Sequence, residues 1–199
     1  LYQVEPAAET SSLQVPVHRL TANPAQRLAY GWRVCQPVDG GGGADEVNGK
    51  ILDELTGGAT GVYLSLGPVS TPDVEQMFHG VVLGAADVII NAGPHIGNVM
   101  AAFETLSQGY NKTLSDICLD LAIDPFAPQS DASLLEDGLR VLCRVDERHI
   151  PHGVFRLNGW QWHNQGMSQV QELGYLLAAT TQIFRSGMAA GLSAAQIAR

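Results

Sequence analysis

The side chains with the clearest capacity for chemistry follow a predicted strand at 154–157. His163 lies beyond the carboxyl end of that strand, and active sites of parallel barrels collect at this end. Its imidazole could serve as an acid, a base or a ligand, although a hydrogen-bonded loop histidine fits the same position. His163 is therefore a candidate catalytic residue.

Candidate substrate contacts lie in the same segment and at the end of another predicted strand, namely Trp160, Trp162, Asn164 and Asp120. Trp160 and Trp162 alternate, so they would point to opposite faces. One of them could fill the centre of a barrel, or the pair could belong to the core and an interface. Asp120 and Asp124 could do acid–base chemistry, although capping of the turn before Pro125 explains them as well.

Other polar clusters do not match a known kind of site. The three cysteines show neither zinc-site nor disulfide spacing; they are Cys35, Cys118 and Cys143. His149 and His152 flank Pro151 without a third ligand nearby, which favours solvated loop residues over a metal site. The glycines at 40–43 lack the Lys and Ser/Thr of a phosphate loop and are expected to form a linker. We expect no metal and no cofactor to be bound by this chain alone.

Composition narrows the classes of partner. The formal net charge is −9 and no basic stripe occurs, so a nucleic acid partner is not expected. The sequence contains no run of 18 apolar residues that could span a membrane. It also contains no basic segment followed by an apolar one, as a signal peptide would have. Scattered thiols fit a reducing compartment. These features predict a cytoplasmic protein without a membrane partner.

Strand and helix patterns alternate along most of the chain. Residues 1–30 follow neither period and are expected to form an extended arm or a loose terminus. Strands are predicted at 32–36, 61–66, 87–91, 117–121 and 154–157. Helices are predicted at 45–55, from Thr71 and Pro72 onward, and at 97–108, 134–145 and 168–188. Short strands that are apolar on both faces predict an α/β fold with a parallel sheet. Both a doubly wound sheet and part of a (β/α) barrel fit, but five strands are too few to close an eight-stranded barrel.

Four stretches resemble the methylmalonyl-CoA mutase family. They are 31–36, 51–67, 116–125 and, most specifically, 163–178, where His163-Asn164-Gln165-Gly166 precedes Gln171-Glu172-Leu173-Gly174-Tyr175; the match continues through 185–193. Their order along the chain is that of the family. The resemblance implies a TIM-type (β/α) barrel, of which residues 31–199 would form an incomplete domain of about five to six strands.

The resemblance also implies an activity and a partner. The family rearranges methylmalonyl-CoA and succinyl-CoA with adenosylcobalamin, whose radical does the difficult step. Active members carry Gly-Tyr-His where this sequence has Gly159-Trp160-Gln161, and a Tyr after Arg-Gln where it has Cys35-Gln36-Pro37. At the position of that His, the resemblance makes Gln161 a second candidate catalytic residue, which could donate a hydrogen bond but cannot act as an acid. The Asp-x-His-x-x-Gly cobalamin motif does not occur, since Asp146-Glu147-Arg148-His149 has another spacing. The chain is thus most similar to the small, non-catalytic subunit.

Three hypotheses follow from these observations. In the first, the chain has a structural or assembly role in a heterodimer with a catalytic mutase subunit, or associates with itself. In the second, it is a catalytically competent acyl-CoA mutase barrel fragment whose cobalamin domain lies elsewhere. In the third, it is an unrelated α/β domain that binds a small ligand. Unpaired strand edges of an incomplete barrel favour association in any case.

Overall fold

The fold is known from a computed structural model, which describes residues 34–67, 72–128, 130–144 and 151–198. The predicted arm at 1–30, the start of the first predicted strand, Thr71 and His149 lie outside these residues. The strands are β1 (Cys35–Asp39), β2 (Gly61–Ser65), β3 (Asp87–Asn91), β4 (Leu119–Ile123) and β5 (Gly153–Phe155). The helices are α1 (Ala44–Thr56), α2 (Val74–Met77), α3 (Ile96–Gly109), α4 (Leu134–Leu142), α5 (Trp160–His163), α6 (Gln169–Ala189) and α7 (Ala194–Ile197).

The five strands form one parallel sheet in the order β1-β2-β3-β4-β5. The predicted α/β class with a parallel sheet is therefore confirmed. A doubly wound sheet reverses its strand order at a switch point, whereas this order advances in one direction. Because crossovers between parallel strands are right-handed, an unreversed order places the connecting helices on one face. The described sheet is thus an arc of the kind found in (β/α) barrels.

One face of the sheet is covered by the helices and forms the core. Its strand residues are buried, namely Val38, Val62, Leu64, Val88, Ile90, Leu119, Leu121 and Val154. Val47 and Ile51 of α1 and Phe103 of α3 have no exposed surface and pack into the same cluster. Burying a side chain of this size stabilises the fold by about 1.5–3 kcal/mol, so this layer holds the arc together.

The opposite face of the sheet is open and mixed in polarity. The register aligns one residue from each of the five strands: Pro37, Tyr63, Ile89, Asp120 and Gly153. Pro37 is exposed and the other four are partly exposed. An apolar core layer would not carry a carboxylate in this row. The alternation along each strand therefore separates a buried apolar face from a face that meets solvent or another surface.

Strand β4 carries an irregularity that changes its register. Asp120 pairs with Gly153, but Ile123 pairs with Phe155, so β4 holds one more residue than β5 over this stretch. Ala122 has φ 47°, a left-handed conformation that is unusual for a residue with a Cβ. The Asp120 carboxylate accepts a hydrogen bond of 2.8 Å from the Ala122 N–H, which satisfies a donor freed by the bulge.

Several predicted element boundaries need correction. The strand predicted at 32–36 continues to Asp39, and the helix predicted at 134–145 ends at Leu142. The predicted strand at 117–121 lies at Leu119–Ile123, two residues later, because a 3-10 turn at Leu114–Asp116 occupies the preceding segment. The helix predicted from Thr71 and Pro72 begins at Val74, and its cap is Asp73, whose side chain accepts a hydrogen bond from the Gln76 N–H at 3.0 Å. In the described ranges, no helix is both long enough and apolar enough to cross a lipid bilayer.

Candidate functional site

Polar and aromatic side chains collect where β4 and β5 end and where α5 and α6 begin. Parallel strands present their carboxyl ends at the same edge of a sheet, which explains why residues distant in sequence meet here. The cluster at this edge contains four side chains that each contact another part of the chain: Asp120, Asp124, Tyr175 and His163. Two of these residues, Asp120 and His163, are among the predicted site residues.

Asp120 is bonded to an arginine across the open face. The Arg156 Nε–H lies 3.1 Å from Asp120 Oδ2, and an Nη of the same guanidinium donates to that oxygen as well. The Asp120 side chain is 16% exposed and the Arg156 side chain 40% exposed. Since Oδ1 already accepts the Ala122 N–H, both carboxylate oxygens have partners. Asp120 is therefore held in place by its own chain on both oxygens.

Asp124 caps the turn after β4 and also fixes the segment after β5. Its Oδ1 accepts the Phe126 N–H at 3.1 Å, and its Oδ2 accepts the Asn158 N–H at 2.8 Å. Burial raises the pKa of this carboxyl above its ordinary value, and the backbone hydrogen bonds oppose that rise. The sequence offered acid–base chemistry or turn capping for Asp124, and the observed bonds are those of a cap.

Tyr175 and Trp162 form the aromatic part of the cluster. The Tyr175 hydroxyl donates to the Phe126 carbonyl at 2.9 Å, and the Tyr175 and Trp162 rings have centroids 5.1 Å apart. Burial raises the pKa of the Tyr175 phenol; the indole of Trp162 opposes the rise and the Asp124 carboxylate adds to it. The buried indole N–H of Trp162 lies beside the phenol but makes no hydrogen bond of standard geometry with the described residues.

His163 pairs with a carboxylate from the long helix α6. Its Nδ1 lies 3.4 Å from Glu172 Oε2, and the two side chains are 54% and 27% exposed. The Glu172 side chain also fills the space beside Gly159, where an added Cβ would lie 2.5 Å from Glu172 Oε1. This close approach explains why a glycine precedes α5, and it ties α5 to the first turn of α6.

The predicted site residues are not all brought together. Trp160, Gln161, Trp162 and His163 lie on the helical turn α5 rather than at a strand end, because Trp162 and His163 donate their N–H groups to the Gly159 carbonyl. The exposed fraction of Trp160 is 60%, and Asn164 is exposed as well. Trp162, by contrast, is half-buried against Tyr175. Their proposed roles in catalysis or substrate binding remain predictions.

Three residues of the cluster did not emerge as candidates from sequence. Arg156 was assigned to a strand, and Glu172 and Tyr175 entered only through the family resemblance. Strand alternation gave no signal for Arg156, because it lies just beyond β5 and two positions after the buried Val154. In the described ranges, no three His, Cys, Asp or Glu side chains come close enough to hold a metal ion.

Fold and site together define an α/β protein with one parallel sheet arc and a polar cluster at its carboxyl edge. No protein-family model matches the chain. Probable methylmalonyl-CoA mutase small subunits of Mycobacterium bovis and Mycobacterium tuberculosis are each 26% identical over 180 residues, covering 85% of this chain and 28% of the relative. The methylmalonyl-CoA mutase small subunit of Propionibacterium freudenreichii subsp. shermanii is 24% identical over 156 residues, covering 73% of this chain and 24% of the relative.

These comparisons show a distant relationship to methylmalonyl-CoA mutase small subunits. The chain spans about a quarter of the length of the curated relatives it matches. The activity, substrates and partners of a whole relative can therefore depend on parts of that protein to which this chain does not correspond.

Proposed function

We propose that this chain serves a structural, assembly role as part of a methylmalonyl-CoA mutase small subunit that pairs with a catalytic subunit. The distant relationship to small subunits supports the class of complex. The sheet, in which β5 pairs with one neighbouring strand among the described residues, supports association, since free strand edges are normally covered.

The observation that carries the non-catalytic part of the proposal is the state of the polar cluster. A general base needs a lone pair that can reach a substrate proton. Both oxygens of Asp120 and both oxygens of Asp124 already accept hydrogen bonds from this chain. The Tyr175 hydroxyl is likewise committed to the Phe126 carbonyl. Each oxygen keeps a further lone pair, so these bonds do not exclude acid–base chemistry, but they support a bracing role because each joins separate segments around β4, β5 and α6.

The cofactor of the family was tested against the same residues. Cobalamin supplies radical chemistry when bound, and an axial imidazole must present a free ring nitrogen to cobalt. His163, the imidazole of this cluster, faces the Glu172 carboxylate through Nδ1 and, among the described residues, keeps Nε2 free, as a metal-ligating histidine usually does. The Asp-x-His-x-x-Gly motif of the family does not occur in this sequence, however, so no step of the reaction is derived through His163.

The proposal is tested by separating association from turnover. The chain is mixed with the catalytic mutase subunit of its own source organism, and complex formation is followed by sedimentation velocity. Adenosylcobalamin-dependent formation of succinyl-CoA is assayed for each protein alone and for the mixture. We expect complex formation and no turnover by the chain alone. Turnover by the chain alone would show a competent barrel fragment, and a mixture that sediments as two separate species would remove the assembly role.

A further inference from the structure

The sequence contains two Asn-Gly steps, Asn48-Gly49 and Asn158-Gly159. Asparagine before glycine is chemically labile, because the glycine nitrogen can attack the carbonyl carbon of the asparagine side chain and no glycine side chain hinders that approach. Both steps carry the same reacting groups, so the fold decides which of them can react. The structure places them in contrasting surroundings.

The first step is held inside a helix. Asn48 and Gly49 belong to α1, so the Gly49 N–H is part of the helical ladder of hydrogen bonds. The Asn48 side-chain amide donates to the Met77 carbonyl at 3.0 Å and to the His79 carbonyl at 2.8 Å. Attack of the Gly49 nitrogen on the Asn48 side chain would have to break these bonds, so the fold protects this step.

The second step lies outside helix and strand. Strand β5 ends at Phe155 and α5 begins at Trp160, so Asn158 and Gly159 belong to the connection between them. In the described part of the chain, neither the Asn158 side-chain amide nor the Gly159 N–H makes a hydrogen bond. Asn158 is partly exposed to water, whereas Gly159 is buried beside Glu172. The reaction would consume a buried N–H that has no acceptor, which is itself an unfavourable group.

We propose that Asn158 is a site of spontaneous deamidation in the folded chain. The Gly159 nitrogen bonds to Asn158 Cγ, the Cγ–Nδ2 bond breaks, and Nδ2 leaves as ammonia with the proton of the Gly159 N–H. Water then opens the resulting succinimide ring. Cleavage between the nitrogen and Cγ leaves aspartate, whereas cleavage between the nitrogen and the main-chain carbonyl carbon leaves isoaspartate. Water is the only co-reactant that these steps require.

Either product adds a negative charge to the polar cluster. The main-chain N–H of Asn158 donates to Asp124 Oδ2 at 2.8 Å, and the Glu172 carboxylate lies beside Gly159. A new carboxylate at position 158 is repelled by both of these groups. Isoaspartate also inserts a methylene into the main chain before Gly159, where the Glu172 side chain leaves little room. The modification therefore loosens the contact between α5 and α6.

Peptide mapping by mass spectrometry of the full chain, aged in neutral buffer, measures deamidation at both asparagines, and labelling by protein isoaspartyl methyltransferase detects isoaspartate independently. We expect Asn158 to convert at least tenfold faster than Asn48. The same chain aged in concentrated urea is the matched control, because loss of the fold should bring the two rates within a few-fold of each other. Equal rates in the folded chain, an Asn158 that reacts only in urea, or a tenfold difference that persists in urea would each overturn the proposal.

Stability measurements test the structural consequence separately. Asn158→Asp reproduces one product, and Asn158→Ser is its matched control because it removes the amide without adding a charge. We expect Asn158→Asp to unfold at a lower urea concentration than Asn158→Ser at neutral pH. The two midpoints should converge as the pH falls and the carboxyl groups become protonated. Equal midpoints at neutral pH would contradict the predicted repulsion by Asp124 and Glu172.

Discussion

Arg156 and Asp120 form an ion pair that joins β5 to β4 on the open face of the sheet. The other oxygen of the Asp120 carboxylate accepts a hydrogen bond from the Ala122 N–H at the bulge. Asp120→Asn keeps an acceptor for that N–H but loses the charge, whereas Asp120→Ala loses both. We expect unfolding free energy to fall by about 1 kcal/mol for Asp120→Asn and about 2 kcal/mol for Asp120→Ala, measured by urea denaturation. Equal losses for the two variants would mean that the bulge hydrogen bond does not stabilise the fold.

Two helical glycines should respond in opposite directions to the same substitution. A Cβ at Gly138 in α4 would lie 2.5 Å from the Phe155 ring, so Gly138→Ala should destabilise by about 1–3 kcal/mol through overpacking. A Cβ at Gly174 in α6 meets nothing within 4 Å, so Gly174→Ala should stabilise by about 0.5–1 kcal/mol through helix propensity. Thermal unfolding of both variants measures the contrast. A stabilised Gly138→Ala variant would show that Phe155 does not pack on α4 as described.

Two carboxylates should give opposite pH dependences of stability. The folded pKa of Asp124 is raised above 3.8 mainly by burial, so its ionisation works against folding as pH rises through the folded pKa. The pKa of Asp116 is lowered below 3.8 by hydrogen bonds from Thr113, so its contribution is present above 3.8 and lost as pH falls through the folded pKa.

The measurement is urea unfolding of Asp124→Asn and Asp116→Asn, each compared with wild type from acid to neutral pH. As pH rises from about 3.8 toward neutral, the unfolding free energy of Asp124→Asn should increase relative to that of wild type. Asp116→Asn should be less stable than wild type at neutral pH, and this loss of unfolding free energy should become smaller as the pH falls. Parallel trends for the two variants would contradict the assigned causes of the pKa shifts.

Local patterns in the sequence predicted the sheet and most of its helices. Asp87–Asn91 is a strand at the predicted residues, and the predicted helix at 45–55 extends by one residue at each end. The apolar run of β4 predicted the strand but not its position, because the 3-10 turn at Leu114–Asp116 precedes it and a left-handed residue, Ala122, extends it. Such tertiary effects leave no periodicity in the sequence.

The candidate site was only partly predictable for the same reason. Trp160 and Trp162 alternate as in a strand, yet hydrogen bonds to Gly159 and the packing of Glu172 make the segment a helical turn. Tyr175 reaches the Phe126 carbonyl across 49 residues of sequence, and no spacing rule connects such distant positions. The residue types predicted that this segment is polar, whereas the hydrogen-bond and packing partners of its side chains are seen in the structure.

Isothermal titration calorimetry of the full chain with adenosylcobalamin, and separately with methylmalonyl-CoA, tests most directly whether the polar cluster is a brace rather than a binding site. Because the oxygens of Asp120 and Asp124 already have partners, we predict only heats of dilution for both ligands. Saturable binding of either ligand in the micromolar range would contradict the non-catalytic assembly role.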